Sequence, residues 1–124
     1  MVILLGMTGF AAAQTTSITS SPPPGKTVTK YYKQSVYDPA KEKIGTVDDV
    51  ILDDSGRAIA LIIGVGGFLG VGEKDVAVAF DTVHAEEMKD GASYLTLDTT
   101  KDALKSALGL MLDKERAAWV AAKS

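Results

Sequence analysis

A short apolar run in the middle of the chain is the clearest structural signal in the sequence. Residues 57–65 are almost entirely apolar, and they follow Asp53-Asp54-Ser55-Gly56, whose aspartates tolerate and whose glycine supplies the positive φ of a hairpin turn. An apolar run of this length bounded by turns predicts a strand that is covered on both faces. We therefore expect Leu61 and Ile63 to point into the core, or Ile62 if the register is opposite.

Further strands are predicted on both sides of this hairpin. Residues 31–37 are aromatic and β-branched, which is typical of a first strand, and Pro39 presets φ for the turn that follows. Residues 43–52 carry apolar side chains at helical spacing, but their glycine, threonine and β-branched residues favour a strand with a bulge near Gly45. Three later strands are predicted, at residues 76–80, 82–87 and 93–97. Short strands at roughly ten-residue spacing predict a barrel or a sandwich.

The hydrophobic period changes after the last of these strands. Thr99 or Thr100 can cap a helix, and Asp102 suits its first turn. The apolar positions that follow lie at helical spacing, although Gly109 weakens the helix there; they are Leu104, Ala107, Leu108 and Met111. We expect residues 30–112 to form the domain and residues 113–124 to form a helical tail.

The N-terminal region is typical of an exported protein. Residues 2–7 are apolar, and small residues stand at Ala11 and Ala13, the two positions that a signal peptidase reads. This run is too short to span a bilayer, which needs roughly 20 residues. No lysine or arginine precedes it, which a true start upstream of Met1 would explain, and a frayed apolar terminus is the alternative to a signal peptide. Residues 1–13 are interpreted as a signal peptide, which predicts a periplasmic or secreted protein.

A linker follows the predicted signal. Residues 14–29 are rich in Ser, Thr and Pro, and have almost nothing to bury. Pro22-Pro23-Pro24 favours extended polyproline II. We expect this segment to be disordered.

Composition excludes several classes of function. The 124 residues suffice for one domain with a real core, because 46% are hydrophobic and 23% are charged. The net charge is −3, and basic residues alternate with acidic ones, so the sequence gives no electrostatic case for nucleic acid or an anionic membrane. The absence of cysteine excludes disulfides, thiolate zinc sites, iron–sulfur clusters and a cysteine nucleophile.

An ordered set of motifs resembles one known family. The set begins with Val36-Tyr37-Asp38, continues with residues 42–50 around Ile44-Gly45 and the hairpin 53–57, and ends with residues 66–78, which include Gly66-Gly67-Phe68-Leu69-Gly70. Together these motifs resemble the PRC-barrel family over residues 31–111, and in particular its small exported single-domain bacterial members. The resemblance implies a mainly β fold, a small barrel of about six strands with a C-terminal helix. It also implies a binding and assembly module without catalytic residues.

The glycine-rich loop at residues 64–72 is the most conspicuous candidate site. It fails the dinucleotide pattern because Leu69 stands where the third glycine is required, and it fails the P-loop pattern because Glu73 replaces the lysine. We interpret it as a tight crossover at a barrel corner. Phe68 and Leu69 in this loop either plug the barrel end or contact a protein partner, with a second copy of the chain as one candidate.

Other candidate chemistry is sparse. His84 is the only histidine and lies on the polar side of its strand, so we interpret it as a solvated surface residue. The densest carboxylates fail the EF-hand pattern, and turn chemistry explains them better than a weak divalent-ion site; they are Asp48, Asp49, Asp53 and Asp54. No catalytic, cofactor or metal residue is assigned. The sequence predicts a non-catalytic protein-binding module of the bacterial cell envelope, with no cofactor, no nucleic acid and no stable membrane span. The alternatives are a small-ligand- or metal-binding protein and an envelope stress or structural protein.

The predicted signal peptide makes a direct test possible. N-terminal sequencing of the protein recovered from the periplasm is expected to begin at Gln14, because cleavage follows Ala13. Recovery of the chain from the cytoplasm with Met1 intact would contradict the prediction.

Overall fold

A computed structural model describes residues 18, 20–66 and 73–122, and within them eight strands form one sheet. The strands are β1 (Ser35–Tyr37), β2 (Lys43–Leu52), β3 (Ala58–Val65), β4 (Lys74–Ala79), β5 (Val83–Glu87), β6 (Ser93–Leu97), β7 (Leu110–Asp113) and β8 (Ala118–Ala121). One α-helix, α1 (Lys101–Ser106), and two 3-10 helices, Val28–Lys30 and Phe80–Thr82, complete the described elements. None of the helices in these ranges is long and apolar enough to cross a membrane.

The sheet confirms the mainly β prediction and departs from it in two respects. Its order is β5-β6-β1-β2-β3-β4-β7-β8, and every neighbouring pair is antiparallel except β1 and β6. The strands number eight rather than about six, because β7 and β8 extend the six that were expected. The hydrogen-bonded sheet is also open, since β7 rather than β5 occupies the free edge of β4.

The core lies on one face of the first six strands. Leu61 and Ile63 of β3 are fully buried there, as predicted, together with residues from every neighbouring strand and from α1; these are Tyr31, Val36, Ile44, Val47, Val65, Val76, Val83, Leu95, Leu97 and Leu104. Ile62 is equally buried but lies outside this cluster, on the face that it shares with its register partners Asp49 and Ala77. The prediction of a strand covered on both faces is therefore confirmed.

The C-terminal hairpin reaches that second face. The indole Nε1 of Trp119 in β8 donates a hydrogen bond of 2.7 Å to Oδ2 of Asp49 in β2. Three strands separate β8 from β2 in the sheet order, so the sheet must curl for this bond to form. The chain thus covers the outer face of β2 and β3 with its own C-terminal hairpin.

The prediction of a helical tail at residues 113–124 is wrong for the part that the structure describes, where β8 pairs with β7. The helix α1 is capped by Thr100, whose Oγ1 accepts a hydrogen bond from the Ala103 N–H at 3.0 Å, and it ends at Ser106. Lys74 Nζ donates to the carbonyl oxygens of Lys105 and Ala107, which satisfies acceptors that a longer helix would use itself. Leu108 and Met111 consequently do not belong to the helix, and both are exposed.

The first strand is shorter than predicted. Only Ser35–Tyr37 is extended, since Tyr31 follows the 3-10 helix and Lys33 adopts a φ of 67°. Tyr31 is nonetheless buried, with its ring 4.8 Å from that of Phe80. Tyr31 therefore packs in the core without belonging to a strand.

The bulge predicted near Gly45 is confirmed. Val36 pairs with Gly45 while Tyr37 pairs with Lys43, which leaves Ile44 as the extra residue. A Cβ on Gly45 would lie 2.5 Å from the Gly64 carbonyl oxygen and 2.6 Å from a methyl group of Ile63, so the approach of β2 to β3 requires glycine here. A second bulge opposite β3 leaves Asp48 without a partner, between the pairs Val47–Ile63 and Asp49–Ile62.

The hairpin between β2 and β3 forms as predicted. Gly56 has a φ of 87°, and Oδ1 of Asp53 accepts hydrogen bonds from the backbone N–H groups of Ser55 and Arg57, each at 2.9 Å. The Ser55 hydroxyl also donates to this oxygen, and these bonds hold the pKa of Asp53 below its ordinary value.

The burial of β3 predicts unequal effects of alanine along one strand. Leu61→Ala should lower the free energy of unfolding by about 2–5 kcal/mol, because a fully buried side chain leaves a cavity. Ile59→Ala on the same strand is the matched control, since Ile59 is 47% exposed, and it should cost much less. Chemical denaturation measures both, and equal losses would show that β3 is not the centre of the core.

Candidate functional site

A groove lies on the outer face of β1, β5 and β6. Tyr37 pairs with Thr96, and Thr96 pairs with His84, so the three side chains form one row across these strands. Their neighbours Val36 and Leu95 are buried in the core, and alternation along a strand therefore turns the row outward. The groove has a volume of about 520 Å³, and its lining consists of Tyr37, Asp38, Pro39, Lys41, His84, Met88, Tyr94, Thr96, Leu97 and Asp98.

Two tyrosine rings form the centre of this surface, which we call the Tyr37–Tyr94 groove. The rings stand edge to face, with centroids 5.7 Å apart and planes at 87°. Met88 is 45% exposed beside them, although large apolar side chains normally seek burial. Two carboxylates, Asp38 and Asp98, and one lysine, Lys41, lie at the groove, so it combines an apolar surface with a small excess of negative charge.

The turn after β1 shapes one end of the groove. Asp38 Oδ1 accepts a hydrogen bond from the Glu42 N–H at 2.9 Å, and Lys41 takes a φ of 67° to close the turn. This local bonding holds Asp38 and Pro39 beside the tyrosines. The arrangement offers aromatic faces, an apolar floor and acidic groups, which suit the binding of an apolar segment with an adjacent cation.

A carboxylate cluster occupies a different part of the sheet. Oxygens of Asp48, Glu73 and Asp75 lie within 4.8 Å of one another. Asp48 is the extra residue of the second bulge, Glu73 precedes β4, and Asp75 pairs with Gly64 of β3. A Cβ on Gly64 would overlap the carboxylates of Glu73 and Asp48, so the missing side chain of this glycine makes room for the cluster.

The cluster alters the protonation of one member. Oδ1 of Asp75 is buried and has no hydrogen-bond partner among the described residues. Burial, a hydrogen bond with Asp48, and the charges of Asp48 and Glu73 raise the pKa of Asp75 to about 7. Lys33 opposes this rise only weakly, because its Nζ lies 3.9 Å from Asp48 and is largely exposed.

Carboxylates this close have two ways to relieve their repulsion. A proton shared between Asp48 and Asp75 removes one charge and lets one carboxyl donate to the other. A hard divalent cation accepts carboxylate oxygens as ligands and fills its other positions with water. The shared proton needs no further ligand and is the simpler explanation of the geometry.

The family of the protein follows from comparison with known sequences. The sequence model of the PRC-barrel domain matches residues 25–104, which is more than half of the chain. The chain belongs to the PRC-barrel domain family. No curated protein matches it.

The match contains β1 to β6, the Tyr37–Tyr94 groove and the carboxylate cluster. The hairpin of β7 and β8 lies beyond its end, which explains why this PRC-barrel protein has two strands more than expected. Members of the family are generally non-catalytic.

The candidate residues named from the sequence are distributed over several places in the PRC-barrel domain. Phe68 and Leu69 lie outside the described residues, as does most of the glycine-rich loop. His84 is exposed, as expected, and lies at the groove. The four acidic residues do not form one site at the hairpin, because Asp48 joins the cluster, Asp49 accepts the Trp119 indole N–H, and Asp53 closes the turn.

The raised pKa of Asp75 predicts how stability depends on pH. The folded protein holds a proton on Asp75 up to about pH 7, whereas an unfolded aspartate releases it near 3.8. Deprotonation therefore opposes folding, and stability should fall as the pH rises from about 4 to about 7. Asp75→Asn should remove this fall and stabilise the protein above pH 7, which denaturation midpoints across the range measure.

The exposed Asp54 provides the control for this experiment. Asp54→Asn should leave the pH dependence of the wild type in place. A wild-type curve that is flat between pH 4 and 7, or identical curves for wild type and Asp75→Asn, would contradict the assignment.

Proposed function

We propose that this PRC-barrel protein is a non-catalytic binding module of the bacterial cell envelope, and that a polypeptide partner binds in the Tyr37–Tyr94 groove. The groove is the observation that carries the proposal. Two outward-facing tyrosines and an exposed methionine lie on the face opposite the core, where the packing of the domain does not require them. Clustered aromatic and methionine side chains on a surface are typical of protein interfaces.

The chemistry of the groove also favours a polypeptide over a reacting substrate. Its single histidine is exposed, and its two carboxylates and one lysine lie among tyrosine, methionine and leucine side chains. Tyrosine rings provide large contact area at a small cost in conformational entropy, and their hydroxyl groups can bond to a peptide backbone.

The envelope location rests on the sequence. Residues 1–13 support export, and the Ser/Thr/Pro segment that follows supports a domain held away from its N-terminus by a linker. Phe68 and Leu69 are a second proposed contact with a partner, on the basis of their apolar side chains in a glycine-rich loop.

The proposal is tested by comparing the partners that the wild type and a groove variant capture. Tyr94→Thr removes a groove ring and keeps a side chain that suits a strand, so the fold should survive. The tagged wild-type protein should retain envelope proteins that Tyr94→Thr does not retain. Tyr32→Thr is the matched control, because Tyr32 is 44% exposed and does not line the groove.

Melting temperatures of the two variants must be compared first, because a variant that does not fold would also fail to capture partners. If the Tyr94→Thr variant folds and still retains the same proteins as the wild type, the groove is not the binding site.

A further inference from the structure

We propose that the occupant of the Tyr37–Tyr94 groove is the proline segment, residues 22–26, of a second copy of this chain. The inference rests on the proposed function, since it names the partner of the same groove. The proline segment reads Pro22-Pro23-Pro24-Gly25-Lys26, and all five residues are exposed. None of them contributes to the groove lining in its own chain.

The conformation and the hydrogen-bond acceptors of the proline segment suit the groove. Three consecutive prolines favour the polyproline II conformation, so little conformational entropy is lost when they bind. Proline-rich segments of this kind dock in grooves lined by aromatic side chains. Polyproline II makes no internal hydrogen bonds, which leaves its carbonyl groups free to accept. The hydroxyls of Tyr37 and Tyr94 are suitable donors, because neither bonds to another described residue.

Charge favours one direction of the segment in the groove. Lys26 follows the prolines after one glycine, and the groove carries two carboxylates, Asp38 and Asp98, against one lysine, Lys41. Asp98 is exposed, and Asp38 uses only Oδ1 for its own turn. When the prolines contact the tyrosines, Lys26 can therefore pair with one of these carboxylates. This ion pair distinguishes the segment from a proline run without charge.

The point where the segment leaves the domain favours a second copy. Lys30 Nζ lies 3.3 Å from Oε1 of Glu87, and alternation along β5 puts Glu87 on the core side with Val83 and Ala85, whereas His84 faces the groove. Each segment therefore leaves the domain on the side away from its own groove. In a dimer with a two-fold axis, binding of each segment in the groove of the other copy makes two equivalent contacts.

The backbone that joins the segment to the domain disfavours binding of the segment in the groove of its own chain. The N–H groups of Tyr31 and Tyr32 both bond to the Val28 carbonyl at 2.9 Å, and that of Lys30 bonds to Thr27 at 3.1 Å. These bonds form the 3-10 helix, which joins the segment to the buried core residue Tyr31 and so holds the end of the segment on the core side of the sheet.

Sedimentation of the full chain at several concentrations tests the inference. The segment variant replaces the prolines by serine (Pro22→Ser, Pro23→Ser, Pro24→Ser), and the groove variant is Tyr94→Thr. The wild type should dimerise as its concentration rises, and each variant should weaken dimerisation at least about tenfold, the effect of about 1.4 kcal/mol. The controls Ser21→Ala and Tyr32→Thr should dimerise as the wild type does.

A mixture of the two variants tests whether the segment of one copy binds in the groove of another copy. The segment variant keeps an intact groove and the groove variant keeps an intact segment, so a mixture should form heterodimers that fluorescently labelled chains reveal. A segment variant that dimerises like the wild type overturns the inference, as does a wild type that remains monomeric. Groove amide signals that differ between wild type and segment variant at every concentration would assign the segment to its own chain's groove, which also overturns it.

The outcomes also separate this inference from the proposed function. If the segment variant dimerises normally while Tyr94→Thr still abolishes partner capture, the inference fails and the proposed function stands. If Tyr94→Thr changes neither dimerisation nor capture, the proposed function fails with it.

Discussion

The burial of β3 on both faces is the constraint on which the rest of the structure depends. Leu61 and Ile63 require a core on one side, and Ile62 requires a cover on the other. The first six strands supply the core face, but a single curved sheet leaves its outer face in water. Trp119 of β8 reaches Asp49 across that outer face, so the C-terminal hairpin meets a requirement that the apolar sequence of β3 creates.

Close approach of β2 to β3 follows from the same packing and determines where charges meet. Gly45 lets the two backbones lie against each other, and Gly64 leaves space above β3 that carboxylates occupy. The bulge at Asp48 turns this residue out of the regular ladder, towards Glu73 and Asp75. Repulsion in the cluster is therefore a consequence of strand register, and the raised pKa of Asp75 is the result of how β2, β3 and β4 align.

The parts of this fold that depend on interactions between residues near one another in the sequence could be predicted from the sequence. The hairpin at Asp53 and Gly56 uses a side-chain acceptor and a positive φ that those residue types supply, and the apolar run of β3 is short and bounded by turns, which favours a buried strand. The C-terminal hairpin was not foreseen, because Leu108 and Met111 fit a helical period, while pairing with β8 and the bonds from Lys74 are long-range effects. The carboxylate cluster and the groove were missed for the same reason. Asp48 and Asp75 meet through a bulge and two ladders, and Tyr37 and Tyr94 meet through the parallel pairing of β1 and β6.

The outer face of the sheet has two halves, and they differ in whether another element of the chain lies over them. A small barrel-like sheet fills its interior with side chains, so the proposed partner would bind on the outside. On the half formed by β2 and β3, the chain's own hairpin bonds to Asp49 and covers the surface. On the half formed by β1, β5 and β6, no described element lies over the tyrosines, and β5 is an edge strand of the sheet. The same sheet thus has one apolar outer surface that its own C-terminus covers and another that remains exposed. This asymmetry makes the Tyr37–Tyr94 groove, rather than the core or the hairpin, the place where a partner can add buried apolar area without disturbing the fold.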